Sequence, residues 1–529
     1  MTSRRDFIGA LGATGAFAAV GLKGGAEEVD PGRVRMRFGV LSDIHISTHR
    51  QLPYFEKTLR KLDEWKVDAV LACGDLADYA LRPQLKLVAD TWFKVFPNGN
   101  GSDGRPVANL MHYGDHDMQD DRYVDYEDAV KEWPDKAFRH AEVIRTLGAK
   151  KVWEECFHEE WAPIVLKEVK GYSFVLSHFT KGEPGNPYGN NVPGLKEFLA
   201  AHAFDPAKPF FYSQHRIPKN TACGPLVDGQ EDGTTTRIFA DYPNLIAFCG
   251  HCHMNGAYEK SIWQGAFTCV QVPSLRYCAT QAGRENGYCG QDRPPEVPVQ
   301  PSKMMGALPS GRTSQGFLCT VCERAVVIRR WDFHYDLPLG PDWVIPISSF
   351  ALPTERRPFA FANRAKAVPA PAFPSGAEVK LSWTRGRDRA KTEHEMVSVS
   401  FPPATAVAPR ADDYEVTVEM KEREVERVFL QKRVYSSRYL FAEKMDDQPV
   451  VCLFARDELP DGWPVRFTVR PLNAFGAKGE PIQTGFAPLS AIRRPKGDVL
   501  SGNAHIGEAA SRRLGQAGEA ASRRLGKEC

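Results

Sequence analysis

The sequence lacks an excess of charge of one sign. Its 529 residues include 68 Lys and Arg against 66 Asp and Glu, which gives a formal net charge of +2. Nucleic-acid-binding domains and proteins that attach to anionic membranes usually carry a marked positive charge. We therefore expect no nucleic-acid partner. Hydrophobic residues make up 42% and charged residues 25%, which is an ordinary globular composition, and the length allows two to four domains.

The sequence also lacks a long hydrophobic run. Its N-terminal apolar stretch, Gly9 to Leu22, is short and rich in Gly and Ala, so it does not suit a permanent membrane-spanning helix. The preceding Ser-Arg-Arg-Asp-Phe-Ile, residues 3–8, resembles the twin-arginine export signal of bacteria, and Lys23 fits that system. The alternative is a disordered basic N-terminus.

The resemblance predicts a signal peptide over residues 1–26. It implies export to the periplasm or cell envelope of a bacterium, and the mature chain is expected to have no transmembrane segment. Cleavage after Ala18, cleavage after Ala26 and retention as an uncleaved anchor all stay open. Export permits disulfides among the twelve cysteines, and Cys278 with Cys289 is the candidate pair because both flank a loop.

The last segment, residues 491–529, has few large apolar residues. It contains an exact repeat, Gly507 to Gly515 and again Gly518 to Gly526. Within the two repeats, Leu514 and Leu525 are the only large apolar side chains and lie eleven residues apart, too few for a coiled coil. We expect a solvated, partly helical tail.

Between these ends, several short apolar runs alternate with helical patterns, and the runs end in acidic or histidine residues. Phe38 to Leu41 is a strand-like run, Leu52 to Trp65 has the spacing of an amphipathic helix, and Val67 to Cys73 reads as the next strand. A second helix near Arg82 to Phe96 leads to a strand at Pro106 to Tyr113. This alternation predicts a layered α/β domain with its site at the carboxyl ends of the strands.

Polar residues follow these three strand patterns and two later ones, Pro209 to Ser213 and Leu245 to Cys249. They occur as Asp43-x-His45, Gly74-Asp75-x-x-Asp78, Gly114-Asp115-His116-Asp117, His215 and Gly250-His251-x-His253. In an extended segment, residues i and i+2 point to the same side, so Asp43 and His45 can converge on one point. Carboxylate oxygens and imidazole nitrogens together suit iron, manganese or zinc. Alone, each residue has an ordinary explanation as a turn former, a helix cap or a surface histidine.

The five motifs in this order resemble the calcineurin-like metallophosphoesterases over about residues 35–335. The resemblance implies a four-layer α/β/β/α sandwich, which we place at residues 33–350. It implies two divalent or mixed-valence metal ions of iron, manganese or zinc. The family's residue roles, carried onto this chain, put Asp43, His45 and His253 on one metal and Asp115, His215 and His251 on the other. Asp75 would then bridge both.

The same resemblance implies the catalytic residues. His116 would stand beside the leaving group as a general acid or charge stabiliser, and Asp117 would orient it. The family reads Gly-Asn-His at this point, whereas this chain has Asp115 in place of the asparagine. Two divalent ions with Asp43, Asp75 and a bridging hydroxide sum to about +1, and a third carboxylate lowers the sum to about 0. A less positive pair of ions should attract phosphate less and acidify its bound water less, so we expect Asp115 to affect turnover more than metal binding.

Beyond the proline-rich linker Pro369 to Pro374, strand patterns recur at short intervals. Trp383 in an early strand and the late segment 465–476 resemble a fibronectin type III sandwich, which we place at residues 367–490. Its partner is unknown. Earlier, the Gly/Pro-rich stretch Ala279 to Arg312 is either a surface excursion or a basic lid over an anionic substrate. The lid would use Arg284, Tyr288, Arg293, Lys303 and Arg312.

Two functions follow from these residues. The first is an exported binuclear metal-dependent phosphoesterase that hydrolyses phosphate mono- or diesters by attack of a metal-bridging hydroxide, with a small phosphorylated substrate. The alternative is a ligand-binding protein on the same scaffold, with turnover weakened by Asp115. His178 lies in a strand pattern but has no motif behind it, so we leave it outside the site.

Overall fold

The protein is described here from a computed structural model. It describes residues 30–119, 123–180, 192–224, 231–279, 283–285, 314–387, 393–405, 411–435 and 449–494. The predicted signal peptide, the tail repeats, Cys289 and a strand expected at 439–441 lie outside these ranges. Within them, no helix combines the length and the apolar character needed to cross a membrane.

The described residues form strands and helices in the following order. The strands are β1 (Val34–Leu41), β2 (Ala69–Cys73), β3 (Ala108–His112), β4 (Ile164–Val169), β5 (Tyr172–Ser177), β6 (Phe210–Ser213), β7 (Leu245–Cys249), β8 (Ile262–Gln264), β9 (Thr268–Gln271), β10 (Gln315–Cys322), β11 (Ala325–Asp332), β12 (Leu337–Pro338), β13 (Trp343–Pro346), β14 (Lys380–Arg387), β15 (Glu393–Phe401), β16 (Asp413–Glu422), β17 (Val425–Tyr435), β18 (Val450–Ala455), β19 (Val465–Leu472) and β20 (Ile482–Gln483). The α-helices are α1 (Leu52–Glu64), α2 (Arg82–Val95), α3 (Glu127–Glu132), α4 (Lys136–Ala141), α5 (Ile144–Leu147), α6 (Ala149–Phe157), α7 (Val192–Ala200), α8 (Thr234–Phe239) and α9 (Phe361–Ala367).

Two mixed sheets pack face to face in the N-terminal part. The first has the order β12-β11-β10-β1-β2-β3, with β13 also on β11, and the second has the order β4-β5-β6-β7-β9-β8. Phe38 of β1 packs against three aromatic rings of the second sheet. Its ring centroid lies 5.2 Å from that of Phe174, 4.9 Å from that of Phe211 and 5.9 Å from that of Phe248. Edge-to-face aromatic contacts of this kind add to the gain from burial.

Helices cover both outer faces. On the first sheet, α1 buries Phe55, Leu59 and Leu62 at helical spacing, and it shares an apolar core with α2 and α6. On the second sheet, α7 and α8 contribute Leu195 and Phe239 to another core. The four layers are therefore α/β/β/α, and the predicted fold class is confirmed.

The boundaries of α1, β2, α2 and β3 agree with the predicted ones to within two residues, whereas β1 begins four residues before the predicted start at Phe38. Helix α6 was not predicted from the sequence patterns. The polar helical pattern from Tyr126 to Leu147 predicts a helical region on the surface, and this region forms the three short helices α3 to α5. Directly after it, α6 buries Val152, Trp153 and Phe157 in the same core as α1.

The C-terminal part is an all-β sandwich, as predicted. One sheet has the order β14-β15-β18 and the other has the order β17-β16-β19-β20. Their inner faces meet in a core that includes Trp383, Val397, Phe454 and Phe467. Strands β15, β17 and β18 were not predicted; charged residues interrupt the apolar alternation of β17, whereas β18, Val450–Ala455, is a short apolar run without charge.

The two parts of the chain are joined by buried ion pairs. Arg284, which lies between β9 and β10 in the sequence, pairs with Asp413 of β16 at 2.8 Å. The neighbouring Glu285 lies 3.5 Å from the buried amine of Lys432 on β17, and its amide donates to the Arg433 carbonyl at 2.7 Å. Arg284 was one of the residues proposed for a basic lid, but its guanidinium binds Asp413 of the C-terminal sandwich. The other lid residues lie outside the described ranges.

Candidate metal centre

Each predicted ligand lies just beyond the carboxyl end of a strand. Asp43 and His45 follow β1, Asp75 follows β2 and Asp115 follows β3, and these three strands are parallel neighbours. In the facing sheet, His215 follows β6, and His251 and His253 follow β7, a parallel pair. Parallel strands bring their carboxyl ends to one edge, so the two sheets place all seven side chains at the same end of the sandwich.

The backbone at these positions is unusual. Asp43, His45, Asp75, His251 and His253 all have positive φ, between 47° and 73°. This left-handed region is uncommon for residues other than glycine, and such conformations are concentrated at functional sites. The turns therefore aim these side chains inward against the local backbone preference.

The motif glycines allow the strand-end loops to approach closely. A Cβ atom on Gly114 would lie 2.2 Å from Asp75 Oδ1, and one on Gly250 would lie 2.6 Å from Asp43 Oδ2. A Cβ on Gly74, whose φ is +90°, would lie 2.7 Å from His215 Nδ1. Larger residues at these positions would displace the predicted ligands.

The first cluster contains Asp43, His45, Asp75 and His253, all buried. His253 Nε2 lies 3.0 Å from Asp43 Oδ1 and 3.1 Å from His45 Nε2. His45 Nε2 is also 3.5 Å from Asp75 Oδ2. One ligand atom from each of the four residues therefore faces a common point.

The second cluster contains Asp115, His215 and His251. Asp115 Oδ1 lies 2.9 Å from His215 Nε2 and 3.1 Å from His251 Nδ1. Asp75 Oδ2, of the first cluster, is 3.1 Å from His215 Nε2. The Asp75 carboxylate thus stands between the clusters, where the family resemblance places a bridging ligand.

Hydrogen bonds fix which ring nitrogens face the clusters. His215 Nδ1 donates to the Cys73 carbonyl at 2.8 Å, and His45 Nδ1 lies 3.0 Å from Asp78 Oδ1. Each ring therefore presents the lone pair of Nε2 to its cluster, as histidine ligands held by a second oxygen acceptor do. Mixed imidazole and carboxylate donors converging in this way fit two metal ions of the iron, manganese or zinc type.

The carboxylates of both clusters are held in the ionised form. Burial raises the pKa of Asp43, but the neighbouring histidines, chiefly His253, lower it by more, so the net shift of this pKa is downward. The pKa of Asp115 is well below its usual range because His251 and His215 outweigh burial. Ionised carboxylates are the form that binds metal.

His116 lies beside both clusters. Its backbone amide donates to Asp75 Oδ1 at 2.9 Å, and its ring Nδ1 donates to the Asp78 carbonyl at 2.8 Å. Burial lowers the pKa of His116, but Asp75 and Asp115 raise it more, to about 9. At this pKa the ring is doubly protonated at neutral pH, so Nε2 carries a proton that a leaving group could receive while Nδ1 donates to the carbonyl.

Asp117 has a different role from the one expected. Its carboxylate accepts the backbone amides of Leu76 at 3.1 Å, Ala77 at 2.7 Å and Gly114 at 2.7 Å. It therefore ties the loop after β2 to the loop after β3. The group that binds the His116 ring is the Asp78 carbonyl, so Asp117 can orient His116, as predicted, only through the loops that it ties together.

Asp78 is a site residue whose role the sequence analysis missed. Its Oδ1 binds the His45 ring, its Oδ2 lies 2.5 Å from Arg276 Nη1, and its carbonyl holds His116. The motif Gly74-Asp75-x-x-Asp78 contained the signal, because its second aspartate falls on the same side of the loop as the site.

Three further residues line the site without a motif to mark them. Arg276 donates to the His45 carbonyl at 2.7 Å, and the Tyr277 ring lies 4.3 Å from the ring of His253. Arg216 Nη2 lies 3.6 Å from Asp115 Oδ2. All three are placed by loops after β9 and β6, and single residues in loops give no periodic signal. His178 is buried behind the site, where its Nδ1 accepts the Tyr113 amide at 3.1 Å.

This geometry defines a class, a binuclear metal site at the strand ends of an α/β/β/α sandwich. Residues 36–255 match the model of the family described as calcineurin-like phosphoesterase. This part of the chain is therefore a calcineurin-like phosphoesterase domain, and the chain is a phosphoesterase enzyme. No curated protein sequence matches it.

Solved structures show only distant similarity. A dimetal phosphatase from Danio rerio has 9% identity and a TM-score of 0.35, over 60% of this chain and 100% of that one. A purple acid phosphatase from yellow lupin (Lupinus luteus) has 12% identity and a TM-score of 0.35, over 60% of this chain and 54% of that one. The anchor in the inner membrane complex of Plasmodium has 8% identity and a TM-score of 0.35, over 59% and 89%. At these values, none of the three informs the activity of this chain.

Proposed function

We propose that this chain hydrolyses phosphate mono- or diesters with two metal ions held by Asp43, His45, Asp75, Asp115, His215, His251 and His253. The observation that carries the proposal is the Asp75 carboxylate, whose Oδ2 lies 3.5 Å from His45 Nε2 and 3.1 Å from His215 Nε2. A single oxygen within reach of both clusters is what a bridging ligand requires. When bound, the ions neutralise phosphoryl charge, acidify water and align the attacking and leaving oxygens.

The chain's own residues position the reaction. The pKa of His116, raised to about 9, keeps its ring doubly protonated, so Nε2 holds a proton that it delivers to the departing oxygen while Nδ1 stays bonded to the Asp78 carbonyl. Arg276 and Asp78 keep the strand-end loop of β1 in place, since Arg276 binds both the His45 carbonyl and the Asp78 carboxylate. Tyr277 covers the His253 ring and limits the access of water to that side.

The test compares initial rates on p-nitrophenyl phosphate and bis(p-nitrophenyl) phosphate, after chelation and after return of manganese, iron or zinc. Metal-restored turnover that His116→Ala lowers by 10²- to 10⁴-fold supports the proposal. His49→Ala is the matched control, because His49 is an exposed histidine outside both clusters. A folded, metal-loaded protein without turnover on either substrate contradicts it.

The alternative is a ligand-binding protein in which Asp115 has weakened turnover. The specific observation in its favour is the third carboxylate, which lies at the second cluster with its Oδ1 2.9 Å from His215. Asp115→Asn separates the two functions. A large gain in rate would favour the binding role for the natural chain, whereas a loss or no change would favour the enzyme as it stands.

For the rest of the chain we propose export through the twin-arginine pathway to the periplasm or cell envelope of a bacterium. The support is the Arg4-Arg5 motif before the apolar stretch. For the C-terminal sandwich we propose a fibronectin type III-like module, supported by its two sheets of three and four strands. Fractionation of cells that express the full chain, beside an Arg4→Lys, Arg5→Lys variant, tests the export route.

A further inference from the structure

The residue after the predicted ligand His215 is Arg216, and its guanidinium points to the second cluster. Its Nη2 lies 3.6 Å from Asp115 Oδ2. The other oxygen of the same carboxylate, Oδ1, lies 2.9 Å from His215 Nε2 and 3.1 Å from His251 Nδ1. The two oxygens of Asp115 therefore have separate surroundings, one toward the ligand histidines and one toward the arginine.

The Arg216 side chain is held in place but not fully used. Its guanidinium carbon lies 5.3 Å from the centre of the Phe179 ring, a cation–π contact that fixes the plane of the group. Its Nε is buried and has no hydrogen-bond partner among the described residues. A buried N–H without an acceptor is costly, so such a group in a site indicates an acceptor that a ligand brings.

The charge at the site also calls for a further cation. Asp43, Asp75 and Asp115 place three carboxylates around the two clusters. Against two divalent ions and a hydroxide, three carboxylates leave a net charge of about 0, which attracts a phosphoryl group less than a positive site would. Arg216 restores one positive charge at the cluster that carries the third carboxylate.

We propose that Arg216 binds a non-bridging oxygen of the substrate's phosphoryl group, with Asp115 Oδ2 holding the guanidinium beside the second cluster. The proposal rests on the proposed function and names the residue that recognises the anion. A guanidinium is always charged and offers several N–H donors in one plane, which match the oxygens of a phosphoryl group. Its charge and its free Nε serve the same ligand.

Inorganic phosphate is the probe, and its dissociation constant is measured by calorimetry on the full chain loaded with zinc. Arg216→Gln removes the charge and is expected to weaken phosphate binding by about 10- to 100-fold. Arg216→Lys keeps the charge but loses the planar group, so an intermediate weakening is expected. Arg237→Gln is the matched control, because Arg237 is exposed on α8 and belongs to neither cluster. The phosphate affinity of the Arg237→Gln variant should equal that of the unaltered protein.

Metal content and circular dichroism are recorded for every variant. A folded Arg216→Gln protein with full metal content and unchanged phosphate affinity overturns the proposal. Loss of metal from Arg216→Gln also overturns it, because the role of the arginine would then be to hold the metal ligand Asp115 in place and not to bind the substrate. Tight phosphate binding that depends on Arg216 in a protein without turnover would sink the phosphoesterase function and leave this inference standing.

A double-mutant comparison tests the part played by Asp115. If Asp115 holds the guanidinium, the effect of Arg216→Gln on phosphate binding should be at least threefold smaller in an Asp115→Asn background than in the unaltered chain. Equal effects in both backgrounds would contradict the proposed pairing, since independent residues act additively.

Discussion

The Asp78 side chain joins two residues of the site that come from distant parts of the chain. One of its oxygens binds His45 Nδ1 at 3.0 Å and the other binds Arg276 Nη1 at 2.5 Å. Arginine and histidine together lower the pKa of this buried carboxyl, although burial itself raises it. Asp78 is therefore an ionised acceptor that fixes both the ring and the arginine.

Replacing this carboxylate should disturb metal binding without removing a ligand. Asp78→Ala frees the His45 ring to rotate and leaves Arg276 without its partner. Removal of a carboxylate that orients a ligand histidine typically weakens metal binding by 10- to 100-fold, and we expect a loss in that range. Competition with a coloured chelator measures it. Asp90→Ala, an exposed aspartate on α2, is the control, and equal zinc affinity in both variants would exclude an orienting role for Asp78.

A second residue-scale prediction concerns pH. Burial, with a smaller contribution from the charge of His215, lowers the pKa of His112 to about 3. Its ring Nε2 is bonded to Ser213 Oγ at 2.7 Å. The unfolded chain takes up this proton near pH 6.5, whereas the folded chain does not until about pH 3. Stability from this group is thus complete above pH 6.5 and falls by about 1.4 kcal/mol per pH unit as the pH drops toward 3.

His112→Gln keeps a polar atom for Ser213 and removes the titration. The free energy of unfolding of the variant should therefore decline less steeply between pH 6.5 and 4.5, by about 1.4 kcal/mol per pH unit relative to the unaltered chain. Urea unfolding at three pH values measures the difference. Parallel profiles for the two proteins would mean that His112 is protonated in the folded state.

At the scale of elements, the site depends on loops that hold one another. Asp117 bonds to three backbone amides, two after β2 and one after β3, and Ser274 Oγ donates to the Asp43 carbonyl at 2.9 Å from the loop after β9. Burial and the charge of Asp75 raise the pKa of Asp117 to about 7, although the amides lower it. These contacts set the spacing between loops.

Asp117→Ala should therefore destabilise the fold as well as the site. It leaves three buried amides without acceptors, at about 1–3 kcal/mol each when none is compensated by water. We expect the free energy of unfolding to fall by at least 3 kcal/mol. Asp135→Ala is a suitable comparison, because Asp135 also accepts backbone amides but caps the exposed end of α4 and should cost about 1 kcal/mol. Equal losses would show that Asp117 is no more than a cap.

The sequence predicted those elements whose period is regular and whose ends carry marked residues. The strands before Asp43, Asp75 and His251 were predicted because apolar runs end there in motif residues. By contrast, α6 was missed, since its apolar positions Val152, Trp153 and Phe157 follow a polar region without a clear boundary. Arg216, Arg276 and Asp117's amide contacts were missed because three-dimensional proximity, not spacing along the chain, creates them.

At the scale of the whole molecule, the N-terminal domain and the sandwich share buried charges. Asp413 lies 2.8 Å from Arg284 and 2.6 Å from Arg433, and its side chain is only 2% exposed. Five residues before Arg284, the Ala279 amide donates to the His253 carbonyl at 2.6 Å. A short stretch of chain thus connects a predicted metal ligand with the C-terminal sandwich.

Asp413→Ala should weaken both parts together. It leaves two guanidinium groups without their buried partner, a change that costs about 3–5 kcal/mol. We expect a lower unfolding temperature and a zinc affinity reduced by several-fold, because the segment that positions His253 loses its anchor. Glu419→Ala on the same strand is the control, since its partner Arg466 lies within the sandwich. A stability loss with unchanged zinc affinity would show that the two parts are not coupled.

The buried ion pairs of Arg284 and Glu285 also limit how the two domains can recombine during evolution. The linker at 369–374 looks like a point where a gene could be cut and a different C-terminal module joined. Such a recombinant would lose Asp413 and Lys432, the partners of Arg284 and Glu285. We therefore expect the two domains to be inherited as a pair, and an exchange of the second to require substitution of Arg284 and Glu285 as well.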